Sequence, residues 1–363
     1  MPSLATECQF GLRVRIMSYY RDATSNGTEK SCRRLPARNT KLYVVACLIL
    51  AMVLAASSCT PGASGGDGKR NMTIGYQFGV SYAPLLVVKH EKWLERALPD
   101  VNVDWRNLNS GAAIRDGMVA NEIHVGSGGI GPFLIGWASE LEWKIVAALG
   151  YLEYGLMTTD TAIKSLRDFG PNHRIGVPGP DSIQAIVLRK AAQDQLGDAH
   201  ALDRNLVSLS HPEAQQALVS GQLAAHFAAP PFTEQEEAEG ARAIVRSFDV
   251  FGQHTGNSVF VRQGFHDENP ELMQALVDAI DRAIKLIKQE PDRAAQILSD
   301  ESDGQATPEQ LVTQFDAEGL EFSPVPSGFA RFAAFMKEIG LIDKAPAAWT
   351  DLVYDNLKSV DGS

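Results

Sequence analysis

Cysteine is almost absent from this chain of 363 residues, and its positions are uneven. The four cysteines are Cys8, Cys32, Cys47 and Cys59, so none follows position 59. Residues 60–363 therefore cannot contain a disulfide, a cysteine-ligated zinc ion or a cysteine nucleophile.

Basic residues are also scarce after position 58. Residues 59–363 contain 25 basic and 41 acidic residues, a net formal charge of −16. Nucleic acid requires a basic surface, and anionic lipid repels an acidic one. The composition predicts no nucleic-acid partner and no membrane attachment through a basic face.

Long apolar runs are rare, and the clearest lies at residues 42–56, without charge, Gly or Pro. Arg33, Arg34, Arg38 and Lys41 precede it, and small residues follow it. A bilayer-spanning helix needs roughly 20 residues, so this run is too short. A basic flank, a short apolar core and a small-residue exit are typical of an export signal, which we assign to residues 1–58.

The end of this signal, ASSC at 56–59, resembles the lipobox of bacterial lipoproteins. The resemblance implies that Cys59 becomes the lipidated first residue of a protein held at the outer face of the cell membrane or in the periplasm. Ala56 stands where Leu is commonest, and an uncleaved anchor is the alternative. Residues 59–71 are rich in Gly, Ser and Pro and predict a flexible tether. The G-x-S-x-G match at 62–66 lacks the strand and helix of a hydrolase site.

After the tether, strand and helix patterns alternate, which predicts an α/β fold. Residues 72–157 and 158–254 each show a β-α-β-α-β order. A helical tail with one returning strand at 258–262 follows. We predict two lobes joined by two crossover segments, with 72–157 and 255–363 in lobe I and 158–254 in lobe II. Helices are predicted at 83–97, at 348–357 and, each beginning at proline, at 270–289, 291–299 and 308–316.

Several segments in order resemble the solute-binding proteins of ABC importers, in the nitrate, taurine and alkanesulfonate group. They are IGYQ (74–77), APLLVVK (83–89), VDWR (103–106), NSGAAI (109–114), IHVG (123–126), RIGVP (174–178) and AAHFAAPPF (224–232). The group also includes binders of thiamine-precursor pyrimidines. The resemblance implies a type II periplasmic-binding-protein-like fold, a small-molecule ligand, separately encoded permease and ATPase partners, no cofactor and no enzymatic activity. We expect a monomer.

Ligands of α/β sheets bind beyond the carboxyl ends of the strands, so the loops there are the candidate site. Helix N-termini in these loops offer unpaired N–H groups and suit anions. The G-x-G-x-x-G match at 126–131 follows the third strand, which favours a turn against a small ligand over a dinucleotide site. Plain capping or packing is the alternative throughout. The candidates are Tyr76, Gln77, Ser81, Tyr82, Ser110, Gly111, Ser127, Gly128, Gly129, Tyr154, Ser182, Gln184 and Phe232.

No metal site is predicted: His90-Glu91 lacks the second histidine of H-E-x-x-H, and His226 is expected in the core. No arginine stands out in the candidate loops. We therefore expect a lipid-anchored binding protein that holds a small organic anion, such as an alkanesulfonate or a taurine-like compound, through backbone amides. A pyrimidine-like heterocycle is the alternative ligand. A sensor lipoprotein and an enzyme of the same fold are the alternative classes; the enzyme is disfavoured by the export signal and the missing cysteines.

Overall fold

The computed structural model describes residues 69–77, 79–302 and 306–363. The predicted signal, Cys59 and most of the predicted tether lie outside these residues. The first strand begins at Arg70, before the predicted end of the tether at residue 71. Its partner strand begins at Val101, directly opposite Arg70.

The described chain forms strands and helices in alternation. The strands are β1 (Arg70–Tyr76), β2 (Val101–Asn107), β3 (Val125–Gly128), β4 (Trp143–Leu152), β5 (Gly155–Thr158), β6 (Ile175–Val177), β7 (Leu206–Ser208), β8 (Ala225–Ala228), β9 (Arg242–Arg246), β10 (Thr255–Arg262) and β11 (Leu320–Glu321). The helices are α1 (Ala83–His90), α2 (Trp93–Ala97), α3 (Gly111–Val119), α4 (Ile130–Ala138), α5 (Ile183–Leu196), α6 (His211–Val219), α7 (Phe232–Ala238), α8 (Ser247–Phe251), α9 (Gln263–Glu268), α10 (Pro270–Gln289), α11 (Pro291–Glu301), α12 (Pro308–Phe315) and α13 (Phe329–Glu338).

The strands form two sheets. A six-stranded sheet has the order β11-β4-β10-β3-β1-β2, and a five-stranded sheet has the order β7-β6-β8-β5-β9. In the first sheet β1, β2 and β3 run parallel, and in the second β6, β7 and β8 run parallel. The carboxyl ends of the parallel strands lie at one edge of each sheet, and the loops at these edges meet between the sheets.

The chain passes between the sheets twice. The first passage is short and runs from β4 through Glu153 and Tyr154 into β5. The second runs from β9 through α8 into β10. The passages are bonded to each other, because Tyr154 N donates to Ser247 Oγ and Ser247 N donates to Tyr154 O, both at 2.9 Å. Both connections between the sheets therefore lie side by side at one place, which is called the pivot below.

The helices that begin at proline follow the predictions closely. Proline is tolerated in the first helical turn because its missing N–H has no partner there. The helix α10 covers the predicted range 270–289, and α11 and α12 match their predictions within two residues. On α10 a continuous apolar stripe is buried, including Leu272, Leu276, Ile280 and Ile284.

Two predicted helices are wrong. The range 83–97 splits into α1 and α2, because Lys92 adopts a left-handed φ of 49° between them. The range 348–357 forms two 3₁₀ turns, Trp349–Leu352 and Asp355–Leu357. Between these turns Val353 bridges Ile145 of β4, and Tyr354 N donates to Ile145 O at 3.0 Å. A residue drawn into sheet pairing cannot also continue a helix.

One apolar core cluster contains buried side chains from both sheets, such as Phe260 of β10 and Phe227 of β8. Phe133 and Trp143 stack with centroids 5.9 Å apart, and Trp143 lies 5.0 Å from Phe260. On α13, Phe332 stacks against Phe251 of the second passage at 3.9 Å. The tail therefore packs against the passage between the sheets as well as against the first sheet. Within the described ranges, no helix combines the length and apolarity required to cross a bilayer.

Candidate ligand-binding cleft

A cleft lies between the two sheets at the carboxyl ends of their parallel strands. Gln77 follows β1 and Gly129 follows β3, whereas Pro178 follows β6 and Ala229 follows β8. This is the position at which α/β sheets bind ligands, because strand ends and helix starts converge there. The cleft has a volume of about 50 Å³, room for a few water molecules.

Five helices present their N-terminal ends to the cleft. The lining residue at each is the N-cap or the first helical residue: Tyr82 for α1, Gly111 for α3, Gly129 for α4, Ser182 for α5 and His211 for α6. The first four N–H groups of a helix have no partner within it, and the helix dipole places about +0.5 elementary charge at this end. The geometry therefore concentrates positive potential without a cationic side chain.

Serine hydroxyls order two of these helix starts. Ser182 Oγ accepts from Ala185 N at 3.2 Å and caps α5. Ser110 Oγ accepts from Ala113 N, also at 3.2 Å, and caps α3. Capping by the side chain uses one N–H of each helix and leaves the earlier ones directed outward. Ser182 also lines the cleft, whereas Ser110 does not.

One wall of the cleft is a buried network of neutral polar groups. Gln77 Nε2 donates to Tyr82 Oη at 2.8 Å, and Tyr82 Oη donates to Asn257 Oδ1 at 3.0 Å. Asn257 Nδ2 in turn donates to Ser81 Oγ at 2.6 Å. Burial, with a smaller contribution from Tyr154, raises the pKa of Tyr82 well above its ordinary value. The hydroxyl therefore stays protonated and holds the amides of Gln77 and Asn257 in fixed orientations.

Tyr154 lies in the first passage between the sheets and lines the cleft. Its Oη donates to Gly256 O at 3.3 Å, and burial raises its pKa above the ordinary value. Its ring stacks on His254 with centroids 6.0 Å apart and planes 11° from parallel. One face of the ring is thus already covered, which restricts stacking on a flat ligand to the other face.

The opposite wall continues into a chain of buried titratable groups. Gln184 Nε2 lies 3.2 Å from His211 Nε2, and His211 Nδ1 lies 2.8 Å from His226 Nε2. His226 Nδ1 lies 2.5 Å from Glu236 Oε1. Burial raises the pKa of Glu236 to about 8 and lowers that of His226 to about 3. It also lowers the pKa of His211 well below its ordinary value, with a contribution from His226. At neutral pH all three groups are therefore uncharged.

Charged side chains lie at the edge of the cleft rather than in it. Among the described residues that line it there is no Lys, Arg, Asp or Glu. An ion pair at the edge joins Arg115 Nη1 on α3 to Asp181 Oδ2 before α5 at 2.6 Å. Helix α3 precedes β3 of the first sheet, and Asp181 follows β6 of the second sheet. This ion pair therefore links the two sides of the cleft. In the described part of the chain, no cluster of three His, Cys, Asp or Glu could hold a metal ion.

Eight of the thirteen residues predicted from the sequence line the cleft. They are Gln77, Ser81, Tyr82, Gly111, Gly129, Tyr154, Ser182 and Gln184.

The other five do not line it. Ser127 and Gly128 are buried within β3, because this strand continues to Gly128 rather than ending near Val125. Ser110 caps α3. Tyr76 and Phe232 line a neighbouring cavity of about 290 Å³. The ring of Phe232 also stacks on that of His211, with centroids 5.4 Å apart, so it packs against a residue of the cleft wall.

Sequence reasoning missed two important residues. Asn257 lies on the returning strand, 175 residues from its partner Tyr82, and no local signal marks that pairing. His211 begins the helix that follows β7, at the same strand-to-helix position as Ser182. The rule used for the other loops would have identified His211. The prediction that His226 is buried agrees with the structure, but its two hydrogen-bond partners were not foreseen.

Replacement Tyr82→Phe should destabilise the folded protein by about 1–3 kcal/mol, because it leaves the amides of Gln77 and Asn257 without their shared buried partner. Chemical denaturation measures the free energy of unfolding. Tyr154→Phe is the matched control, since it removes one long hydrogen bond to Gly256 O and should cost less. An equal or smaller cost for Tyr82→Phe would contradict the bridging role of its hydroxyl.

Comparison with known proteins gives a consistent match over most of the chain. The profile of the NMT1-like family matches residues 65–299. A Bacillus subtilis (strain 168) protein, named as a candidate aliphatic sulfonates-binding protein, is 23% identical over 266 residues, which is 70% of this chain and 77% of that protein.

Solved structures share the fold at low sequence identity. The alkanesulfonate-binding protein SsuA from Xanthomonas axonopodis pv. citri, bound to MOPS, superposes with a TM-score of 0.64 and 16% identity, covering 78% of this chain and 98% of SsuA. The Candida albicans CA3427 product, described as having the generic periplasmic binding protein fold, has a TM-score of 0.60 and 13% identity, covering 81% and 99%. The predicted fold class, α/β and two-lobed of the periplasmic-binding-protein type, is confirmed.

Proposed function

The chain belongs to the NMT1-like family, and on this premise we propose that it is the extracytoplasmic solute-binding component of an ABC importer for a small organic sulfonate. The observation that carries the proposal is the meeting of five helix N-termini in a cleft without charged side chains. Such a site recognises an oxyanion through backbone N–H groups, as phosphate and sulfate sites do.

The lining also favours an organic anion over a bare inorganic one. Apolar side chains lie beside the polar ones, namely Leu152, Ile183, Pro132, Pro178 and Ala229. A sulfonate can place its three oxygens against the helix ends and its alkyl group against these side chains. The names of the Bacillus and Xanthomonas relatives support this ligand class.

Capture is a closing motion of two lobes, residues 72–157 with 255–363 and residues 158–254. Both contribute to the cleft: Gln77 and Gly129 come from the first, and Ser182 and His211 come from the second. An anion between them adds contacts that only the closed state provides, so it shifts the population toward closure. The Arg115–Asp181 pair joins the same two sides. The closed form is the state that a separately encoded permease and ATPase would receive, and the binding protein is a monomer.

The protein performs no chemistry in this account. The one histidine of the lining, His211, is bonded to Gln184 and His226 rather than to a serine. Ser81 is bonded to Asn257, and Ser182 caps α5. These partners suit a binding site, because a serine nucleophile requires an adjacent general base.

Attachment to the membrane is assigned to lipid on Cys59, with residues 59–69 as the tether. The export signal ending at Ser58 and the acidic charge of residues 59–363 support it.

Mass spectrometry of the exported protein should find acylated Cys59 as the first residue, and Cys59→Ser should release the protein from membranes. An unmodified residue 59 within a longer chain would contradict this assignment.

The charge of the ligand is tested at Ser182, where two substitutions keep the helix cap. Asp and Asn cap helices about as well as Ser, so α5 is preserved in both Ser182→Asp and Ser182→Asn. Only Asp adds negative charge to the cleft. Like charges about 4 Å apart repel by about 4 kcal/mol near a protein surface. Ser182→Asp should therefore weaken ethanesulfonate binding at least tenfold relative to Ser182→Asn in isothermal titration calorimetry.

Two other outcomes would indicate a different ligand class. Stronger binding by Ser182→Asp would indicate a cationic ligand and overturn the proposal. Equal binding of a pyrimidine by both variants, with no binding of sulfonates, would favour the heterocycle instead. Circular dichroism of both variants checks that the fold is retained.

A further inference from the structure

We propose that His211, His226 and Glu236 form a proton relay, and that the cleft binds its anion in the form in which this relay holds one added proton. The relay turns His211 Nε2 from a hydrogen-bond acceptor into a donor. The inference rests on the proposed function only in taking the ligand to be an anion.

The geometry forms an unbroken line from the cleft to a buried carboxyl group. His211 begins α6 and lines the cleft, His226 lies on β8, and Glu236 lies on α7. Both ring nitrogens of His211 and both of His226 have a partner in the line, with separations from 2.5 to 3.2 Å. The side chains of His226 and Glu236 are fully buried.

Neutral imidazole carries one proton on one of its two nitrogens, so the line has two ordered arrangements. With Glu236 ionised, its carboxylate accepts from His226 Nδ1, and His226 Nε2 accepts from His211 Nδ1. His211 Nε2 then accepts from Gln184 Nε2 at the cleft wall and cannot donate to a ligand. The relay carries one negative charge in this form, which disfavours an anion.

Adding one proton at His211 Nε2 produces the second arrangement. His211 passes its Nδ1 proton to His226 Nε2, and His226 passes its Nδ1 proton to Glu236 Oε1. The carboxyl group is now neutral and donates to His226 Nδ1. Neither imidazole ring has to rotate during these transfers. One proton enters at His211 Nε2, and one proton reaches the Glu236 carboxylate and neutralises it. His211 Nε2–H then donates toward the cleft, where it can bind a sulfonate oxygen.

Burial favours the second arrangement at neutral pH. Glu236 Oε2 is buried and has no hydrogen-bond partner among the described residues, a costly position for an ionised carboxylate. Consistent with this, burial raises the pKa of Glu236 to about 8 and keeps both imidazoles neutral. Without a ligand, the amide of Gln184 can turn either its nitrogen or its oxygen toward His211 Nε2, so it fits both arrangements, and a bound sulfonate oxygen takes its place as acceptor in the second.

The two strands paired with β8 place no titratable side chain beside His226. Met157 of β5 and Gly176 of β6 lie opposite His226, and neither strand carries a titratable side chain. Four charged residues on α5, α6 and α7 form ion pairs or hydrogen bonds with residues outside the relay. They are Arg189 with Asp203, Glu213 with Ser210, Glu234 with Thr233 and Glu237 with Arg246.

The direction of the pH effect follows from the raised pKa of Glu236. Below about pH 8 the relay already holds its proton, and anion affinity is constant. Above about pH 8 the anion must bring a proton with it, so affinity falls up to tenfold for each pH unit. Binding near pH 9 should therefore take up close to one proton.

Calorimetric titration of the full protein with ethanesulfonate from pH 6 to pH 10 tests the relay. Repeating it in two buffers of different ionisation enthalpy gives the number of protons taken up. The wild-type protein should lose affinity up to tenfold per unit above about pH 8. Glu236→Gln keeps the size and a hydrogen-bonding group but cannot titrate, so its affinity should lack this fall and its proton uptake should vanish. The same fall in both proteins would overturn the proposal.

A second measurement needs no ligand and separates failure of the relay from failure of the proposed function. Nitrogen-15 NMR of the histidine rings should assign the protons of His211 and His226 to Nε2 at pH 7 and to Nδ1 above pH 9. In Glu236→Gln the assignment should not change with pH. Rings whose proton positions stay fixed in the wild-type protein would overturn the relay, whereas a clean change without sulfonate binding would reject only the sulfonate.

Discussion

The convergence of helix N-termini at one cleft is the constraint on which the rest of this structure depends. Parallel strands in both sheets end at the cleft, and five of the helices that follow them start there. Two α/β sheets that face each other through these edges necessarily bring several helix dipoles together. The pivot, the Arg115–Asp181 pair and the neutral polar network all serve to position these ends around a small volume.

This arrangement would allow an acidic protein to bind the proposed anion. Residues 59–363 carry a net formal charge of −16, which alone would repel a sulfonate. At physiological ionic strength charges beyond about 8 Å are largely screened, whereas a helix terminus acts within its first turn. The local dipoles therefore outweigh the distant surface charge. Burial raises the pKa of Glu236 to about 8, so this buried carboxyl group adds no negative charge near the site at neutral pH.

The sequence predicted features that depend on local rules. Ser182 and Gly129 were found because helix starts after strands have recognisable residues, and α10 was found because proline and a regular apolar stripe define it. Ser127 was misplaced because the end of β3 depends on pairing with Val259 of β10, which the local pattern does not contain.

Long-range contacts account for the other errors. Val353 bridges β4, so no helix continues through it, and Asn257 reaches Tyr82 from the opposite end of the chain. The His226–Glu236 contact joins a strand to a helix that approaches it only in the folded lobe.

The most direct test of the central claim compares two ligands of nearly equal shape and different charge. Ethanesulfonate and its neutral analogue ethyl methyl sulfone should be titrated into the protein by calorimetry at pH 7. If helix N-termini select the anion, the sulfonate binds at least tenfold more tightly than the sulfone, a difference of about 1.4 kcal/mol or more. Equal affinity for the two would contradict the account, because the helix ends would then contribute nothing to recognition.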